Sequence, residues 1–214
     1  MKNSKARRRT SASNESDRLS EIYQVAAQII CEKGYDATSM DDIADAVGIT
    51  KAGIYHYIHG KGEMLFQIMS YGMDRLDRHV IIPAREIKDP EARLRAIIRS
   101  HALLIAAGSN NKGNNPITIV TDEVAGLAPA HRRAIEKRKR VYLDLVRETL
   151  RELKDQKKLS DVDITVAAFS LFGVMLWLSR WYRPNGRLTR EEAASQVSKI
   201  ALDGLLASNR PQAK

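Results

Sequence analysis

Thr50, Lys51, Tyr55, His56 and Tyr57 crowd into the nine residues that follow Gly48. A core helix would carry leucines there, and a solvated helix has little use for two tyrosines and a histidine in three positions. Thr50, Lys51, Tyr55 and His56 instead present hydrogen-bonding groups suited to phosphate oxygens and base edges. Thr50 is a helix-capping residue, and its hydroxyl or backbone N–H at the positive end of a helix dipole suits an anion. Lys51 and Ala52 come next at the outward end, and Gly53 permits close approach. Tyr55 and His56 offer polar tips, and Lys61 opens the next helix within reach of the same backbone. Thr38 and Ser39, at the start of the preceding helix, are placed to hold the other side of a groove. Tyr57 and Ile58 are expected to pack inward.

Such an edge needs a scaffold, and the flanking residues supply one. Ser39 and Asp42 have the spacing of a capping box. They open a short helix that buries Met40, Ile43, Ala44 and Val47 and ends at Gly48. A second short helix runs from Thr50 to about Ile58. The small Ala44, the turn glycine Gly48 and the branched Ile54 let two helices cross near a right angle. That is a helix-turn-helix, whose second helix can enter the major groove of double-stranded DNA. Taken singly, Tyr55 would serve equally well as a core aromatic, His56 as a surface histidine, and Lys51 and Lys61 as solvated charges. Their joint placement favours DNA contact.

The stretch GYDATSMDDIADAVGITKAGIYHYIHGKGEML, residues 34–65, resembles the N-terminal signature of the TetR family of bacterial transcriptional regulators. The landmarks are Gly34-Tyr35, Thr38, Ile43-Ala44, Gly48, Lys51, Gly53, Tyr55, Lys61 and Leu65. Family members usually carry phenylalanine where Ile58 stands and often proline-serine where His59-Gly60 stand, changes that leave the outward edge in place. The resemblance implies an all-α fold, with an N-terminal three-helix DNA-binding domain and a larger helical ligand-binding and dimerisation domain. The expected division is a flexible basic arm over 1–15, the helix-turn-helix domain over 16–62 and the effector domain over 63–214.

Helical signals run through the rest of the chain. Apolar residues recur at helical spacing from Leu19 to Ile30 and stop at Gly34. Met64, Leu65, Ile68, Met69 and Leu76 share one face. Asp89-Pro90 opens a helix over 89–107, and residues 108–115 read as a polar loop. Residues 116–128 are ambiguous between helix and strand, with helix the better fit. Pro129 starts a long charged helix to about Lys157. Residues 161–182 are apolar on nearly every face and so must be covered all round, and Thr189 with Glu192 caps the last helix. The last two could pair with their copies in a homodimer as a four-helix bundle. That would set two recognition helices about 34 Å apart, or a multiple of it, on a near-palindromic operator.

The formal charge is +9. Lys and Arg balance Asp and Glu over residues 1–80, 11 against 11, so the surplus lies wholly in 81–214. Arginines stand beside aromatics there, and Trp177, Arg180, Trp181 and Arg183 read as a site for an anionic, partly aromatic ligand. The stretches 131–145 and 175–192 resemble TetR-type regulators that sense acyl-coenzyme A thioesters, whose phosphates would explain a basic effector domain. The competing reading makes 130–142 a solvated face and Trp177 and Trp181 core. No cofactor is expected. The five histidines and Cys31 lack metal-ligand spacing, and no nucleophile elbow or phosphate-cradling glycine loop occurs, so an enzyme is not expected. The apolar stretch 166–179 falls short of a membrane span, and no secretory signal is read at the N-terminus. The single cysteine fits a reducing, cytoplasmic setting. The reading is a ligand-relieved repressor; an effector-independent architectural DNA-binding protein is the alternative.

Overall fold

The computed structural model describes residues 3–108, 119 and 126–207, with side chains from Arg18 onward. The expected polar loop beyond Gly108, and most of the segment 116–128, lie outside the described residues. Helices carry the fold: α1 (Asn3–Lys33), α2 (Met40–Val47), α3 (Lys51–Tyr57), α4 (Lys61–Leu76), a π-helical turn (Asp77–Ile81) and α5 (Ile82–Arg85). They continue as α6 (Pro90–Gly108), α7 (Pro129–Asp155), α8 (Ile164–Trp181) and α9 (Arg190–Leu205). The one extended pairing among the described residues is an isolated antiparallel bridge, Leu159 to Leu206, which ties the start of the α7–α8 connection to the end of α9.

The helix starts follow local chemistry. Ser39 and Asp42 form the expected capping box, with the Ser39 hydroxyl accepting from the Asp42 N–H at 3.0 Å and the Asp42 carboxylate from the Ser39 N–H at 2.8 Å. Asp163 caps α8 through the Thr165 and Val166 N–H groups, and Thr189 with Glu192 repeats the capping box at α9. Gly48 ends α2 in the left-handed region at φ 72°, where a β-carbon is disfavoured.

Helix α1 departs from expectation, because its backbone is already helical at Asn3 where a flexible arm over 1–15 was expected. The physical reason is that no glycine or proline precedes Gly34, so nothing in the sequence interrupts a helix built back from the buried Ile22, Ala26 and Ile30. The expected domain boundary at 62/63 falls inside the first turn of α4.

Two packed regions meet along that helix. In the first, Ile22, Ala26 and Ile30 of α1, Ile43 and Val47 of α2, Ile54 of α3 and Met64, Leu65 and Ile68 of α4 are all buried. In the second, α6 is the central element, packed against α7, α8 and α9 and burying Leu94, Ile97, Ile98, Ala102 and Ile105. Helix α8 offers it Ala167, Ala168, Leu171, Met175 and Leu178. Among the described residues the opposite side of α8 is left open: Val166, Phe169, Val174, Trp177 and Trp181 are exposed, as is Ile200 of α9. Helix α8 has 18 residues at mean hydropathy 1.5, which reaches the minimum for a membrane span where the sequence had suggested a shorter apolar stretch. Its packing on α6 makes it a bundle helix instead.

Ile98→Ala should lower unfolding stability in urea by about 2–5 kcal/mol, because the residue is fully enclosed and its loss leaves a cavity. Ile82→Ala, at an exposed position, should change it by less than about 0.5 kcal/mol.

Candidate nucleic-acid interface and effector cavity

The α2–α3 pair is held by a few short-range contacts. Beyond Gly48, the Ile49 N–H donates to the Ala44 carbonyl at 3.0 Å, and the Gly48 N–H donates to that of Asp45 at 3.1 Å. Ala44 and Ile54 are enclosed at the crossing, and Ile58 closes the base of α3. With Ile54 and Ile58 turned in, α3 leaves Lys51, Ala52, Tyr55 and His56 exposed, while Tyr57 is half-buried as expected. Thr50 caps the helix through its hydroxyl, which accepts from the Gly53 N–H at 3.1 Å. A β-carbon on Gly53 would lie 3.2 Å from that hydroxyl oxygen, so the glycine also gives the cap its room.

The charged groups of this edge are already engaged. Lys51 Nζ lies 2.8 Å from the Asp41 carboxylate, and that hydrogen bond raises the lysine's pKa above its ordinary value. Both partners are exposed, so the pair is easily exchanged for a phosphate. Ser39 and then Lys33 hold the Asp42 carboxyl well below the usual carboxylate range, which keeps the cap of α2 charged. Lys61 Nζ donates to the Asp36 carbonyl at 3.0 Å and sits 4.3 Å from the Tyr35 ring centroid, bracing the start of α4 against the α1–α2 turn.

Thr38 is placed differently from the other suggested contact residues. It is only 2% exposed, and its hydroxyl donates to the Gly34 carbonyl at 2.8 Å. Its side chain closes the turn after α1 rather than facing a groove, because the turn leaves the Gly34 carbonyl without a helical partner. Ser39, its exposed neighbour, remains at the mouth of α2.

Trp177, Arg180, Trp181 and Arg183, which the sequence suggested as a ligand site, lie together at the C-terminal end of α8 and just beyond it. Trp177 is 66% exposed, and Arg180, Trp181 and Arg183 are exposed as well. The Arg183 guanidinium turns back onto the carbonyls of Arg180 and Tyr182. Helix α8 buries Ala167, Ala168, Leu171, Met175 and Leu178 and leaves both indoles exposed.

A cavity of about 410 Å³ opens between α4, α6, α7 and α8. Met73, Leu76, Phe172 and Leu176 give it apolar walls, and Glu136, Lys139 and Arg140 of α7 stand among its lining residues. His101 and Tyr142 also line it, 3% and 4% exposed, with His101 Nδ1 and the Tyr142 hydroxyl 2.9 Å apart. Burial lowers the His101 imidazole from its ordinary 6.5 to about 4 and raises the Tyr142 hydroxyl, so both are neutral at pH 7. The sequence signal for this pair was a lone histidine and a lone tyrosine at otherwise apolar helical positions, which residue spacing could not bring together across 41 positions.

Sequence reasoning also missed the ties between the two regions. Phe66 of α4 stacks on His131 of α7 with centroids 3.9 Å apart and planes 8° from parallel. Arg138 of α7 reaches Asp74 at 2.6 Å, Asp77 at 2.5 Å and the Ser70 carbonyl at 3.3 Å, spanning the end of α4 and the π-helical turn. The Tyr35 ring lies so close to Gly126 that a β-carbon there would come within 2.5 Å of it.

Comparison with known proteins agrees with this geometry. A family model described as "Tetracyclin repressor-like, C-terminal domain" matches residues 88–205, and "Bacterial regulatory proteins, tetR family" matches residues 22–68. The chain belongs to the TetR family. It is a DNA-binding transcriptional regulator of that family. The repressor KstR2 of Rhodococcus jostii RHA1 is 32% identical over 204 residues, covering 90% of this chain and 93% of that protein. Among solved TetR-type structures, AibR in complex with isovaleryl coenzyme A and operator DNA superposes with a TM-score of 0.75 at 39% identity, covering 86% of this chain and 97% of that one. The ketosteroid regulator KstR2 of Mycobacterium tuberculosis gives 0.78 at 25% identity, over 89% and 96%.

The buried imidazole carries a pH signature. The unfolded chain takes up its proton near 6.5 and the folded chain near 4, so between those values the unfolded state binds more protons. Stability should therefore fall as the pH drops through that window, by on the order of 3 kcal/mol from this residue. Urea titrations at pH 7 and pH 4.5 should show that His101→Phe loses less stability on acidification than the parent.

Proposed function

We propose that this chain is a ligand-relieved repressor that acts in the cytoplasm, binding a near-palindromic operator as a homodimer and sensing an acyl-coenzyme A thioester. The observation that carries the DNA reading is the outward edge of α3, held rigid by Ile54, Ile58 and the Gly48 turn. On it Lys51, Tyr55 and His56 are disposed toward phosphates and base edges, with the Thr50 cap at the helix's positive end and Ala52 and Gly53 allowing close approach. Ser39 contributes from the start of α2, and Lys61 contributes by holding α4 to the turn before it.

The open side of α8 supports the dimer. Val166, Val174, Trp177 and Trp181 form an apolar exposed set on a helix whose other side packs on α6, the composition of a homodimer interface rather than of a solvated face. A two-fold axis there would pair two α3 helices, which a near-palindromic operator requires at the spacing of successive major grooves.

The cavity supports the effector reading: apolar walls suit an acyl chain, and Lys139 and Arg140 beside it suit a coenzyme's phosphates. The comparison with AibR, which was solved with isovaleryl coenzyme A and operator DNA, supports the same ligand class. Full-length resemblance to KstR2 repressors supports the sign of regulation. Relief then follows from mechanics. Helix α4 begins at the turn that positions α2 and ends with Met73 and Leu76 in the cavity wall, so a ligand that displaces its end also displaces α3. An effector-independent architectural protein would not need such a cavity.

In gel shifts on DNA upstream of its own gene, Lys51→Ala and Tyr55→Ala should each weaken binding roughly tenfold or more. Size exclusion should still show a dimer. Unchanged binding in both variants refutes the assignment of α3. Trp177→Asp should instead yield a monomer that fails to retard DNA. A saturating acyl-coenzyme A, at a hundred times its Kd, should stabilise the protein by about 2.7 kcal/mol and release the operator.

A further inference from the structure

The cavity is apolar apart from its charged α7 residues and one buried polar pair, and that pair has an unfilled hydrogen-bonding position. His101 Nε2 is enclosed and has no partner, while Nδ1 is taken by the Tyr142 hydroxyl at 2.9 Å. The Phe172 ring meets both side chains edge-on, which holds them in place. A neutral imidazole and a phenol carry two polar hydrogens between them, and the bond joining them uses one. If the tyrosine donates, Nε2–H is left over; if Nδ1–H donates, the phenolic hydrogen is left over. Either tautomer leaves one donor facing no acceptor, a costly arrangement in a low-dielectric site.

We propose that the His101–Tyr142 pair is the specificity site of this cavity, donating a hydrogen bond to a carbonyl oxygen carried on the effector's apolar moiety. The inference deepens the effector reading above and rests on this cavity being where the effector binds, but it does not depend on the coenzyme. The oxygen is either the thioester carbonyl or a ketone within the acyl skeleton; the chemistry recognised is the same. A hydrocarbon of equal shape would fill the same walls and leave the donor unsatisfied, so an oxygen here discriminates far better than an added methylene.

The test uses the full-length protein and ligands matched in shape. Cyclohexanone and methylenecyclohexane differ only in oxygen against methylene, and binding is read by titration calorimetry and by the imidazole nitrogen resonances of His101. The ketone should bind roughly tenfold or more tightly and shift the His101 signals. The preference should vanish in the double variant His101→Phe with Tyr142→Phe, which removes both polar groups together and keeps the cavity apolar. Equal affinity for the two probes in the parent protein, or a preference that survives in the double variant, overturns the proposal. Should the double variant not fold, the parent's discrimination and the His101 resonances still decide.

A second pair locates the oxygen: isovaleryl coenzyme A, and the thioether in which a methylene replaces its carbonyl. Preference for the thioester assigns the thioester carbonyl. Equal binding of the two, with ketone preference intact, assigns a ketone in the skeleton. If neither coenzyme A derivative binds while the ketone preference holds, the thioester reading fails and the polar pair stands.

Discussion

Helix α4 has to satisfy two cores with one rigid rod. Its first turns bury Met64, Leu65 and Ile68 among the helices that frame α3, and its last turn puts Met73 and Leu76 into the wall of the cavity. A helix is stiff over this length, so a displacement at one end cannot be absorbed before it reaches the other. The contacts between the two packed regions are arranged around that constraint. The α1–α2 turn grips the start of α4 through Lys61, and α7 grips its middle and end through the Phe66–His131 stack and the Arg138 clamp. The π-helical turn begins where Arg138 holds Asp77, which places the irregular backbone at the end of the shared helix.

Charge is distributed to match. The helix-turn-helix half is balanced overall, yet its exposed edge offers Lys51, paired only with an exposed aspartate that a phosphate can replace. The positive surplus sits in the larger half, where Lys139 and Arg140 line, together with Glu136, a cavity that is otherwise mostly apolar and aromatic. The clamp from Arg138 is of another kind. Its two carboxylate partners raise the pKa of a guanidinium that burial alone would lower, and their purpose is structural, holding α7 to α4.

Much of the fold was legible because it is local. The capping boxes at Ser39 and Thr189, the stop glycines at 34 and 48 and the apolar periodicity of α2, α3 and α4 are all written within a few residues, and each element formed where its signal stood. The outward residues of α3 were legible for the same reason: on a seven-residue helix, burying Ile54 and Ile58 leaves little choice about which side chains remain outside. The burial of Thr38 was not legible, because its motif position says nothing about the rotamer, and the nearby Gly34 carbonyl captured its hydroxyl. The exposure of Trp177 and Trp181 was not legible, because arginines beside aromatics look alike in a pocket and on an open helix face.

The sequence by itself determined the helices, their caps and the exposed edge of α3, since these depend on interactions among residues no more than a few positions apart. Only the tertiary structure decided which face of the uniformly apolar α8 turned inward, and that His101 would meet Tyr142 across a cavity. The meeting of Phe66 with His131, and of Arg138 with Asp74 and Asp77, was decided in the same way. Those contacts join residues some forty to seventy positions apart, where neither spacing nor composition fixes a distance, and only the packing of α6 and α7 against their neighbours does.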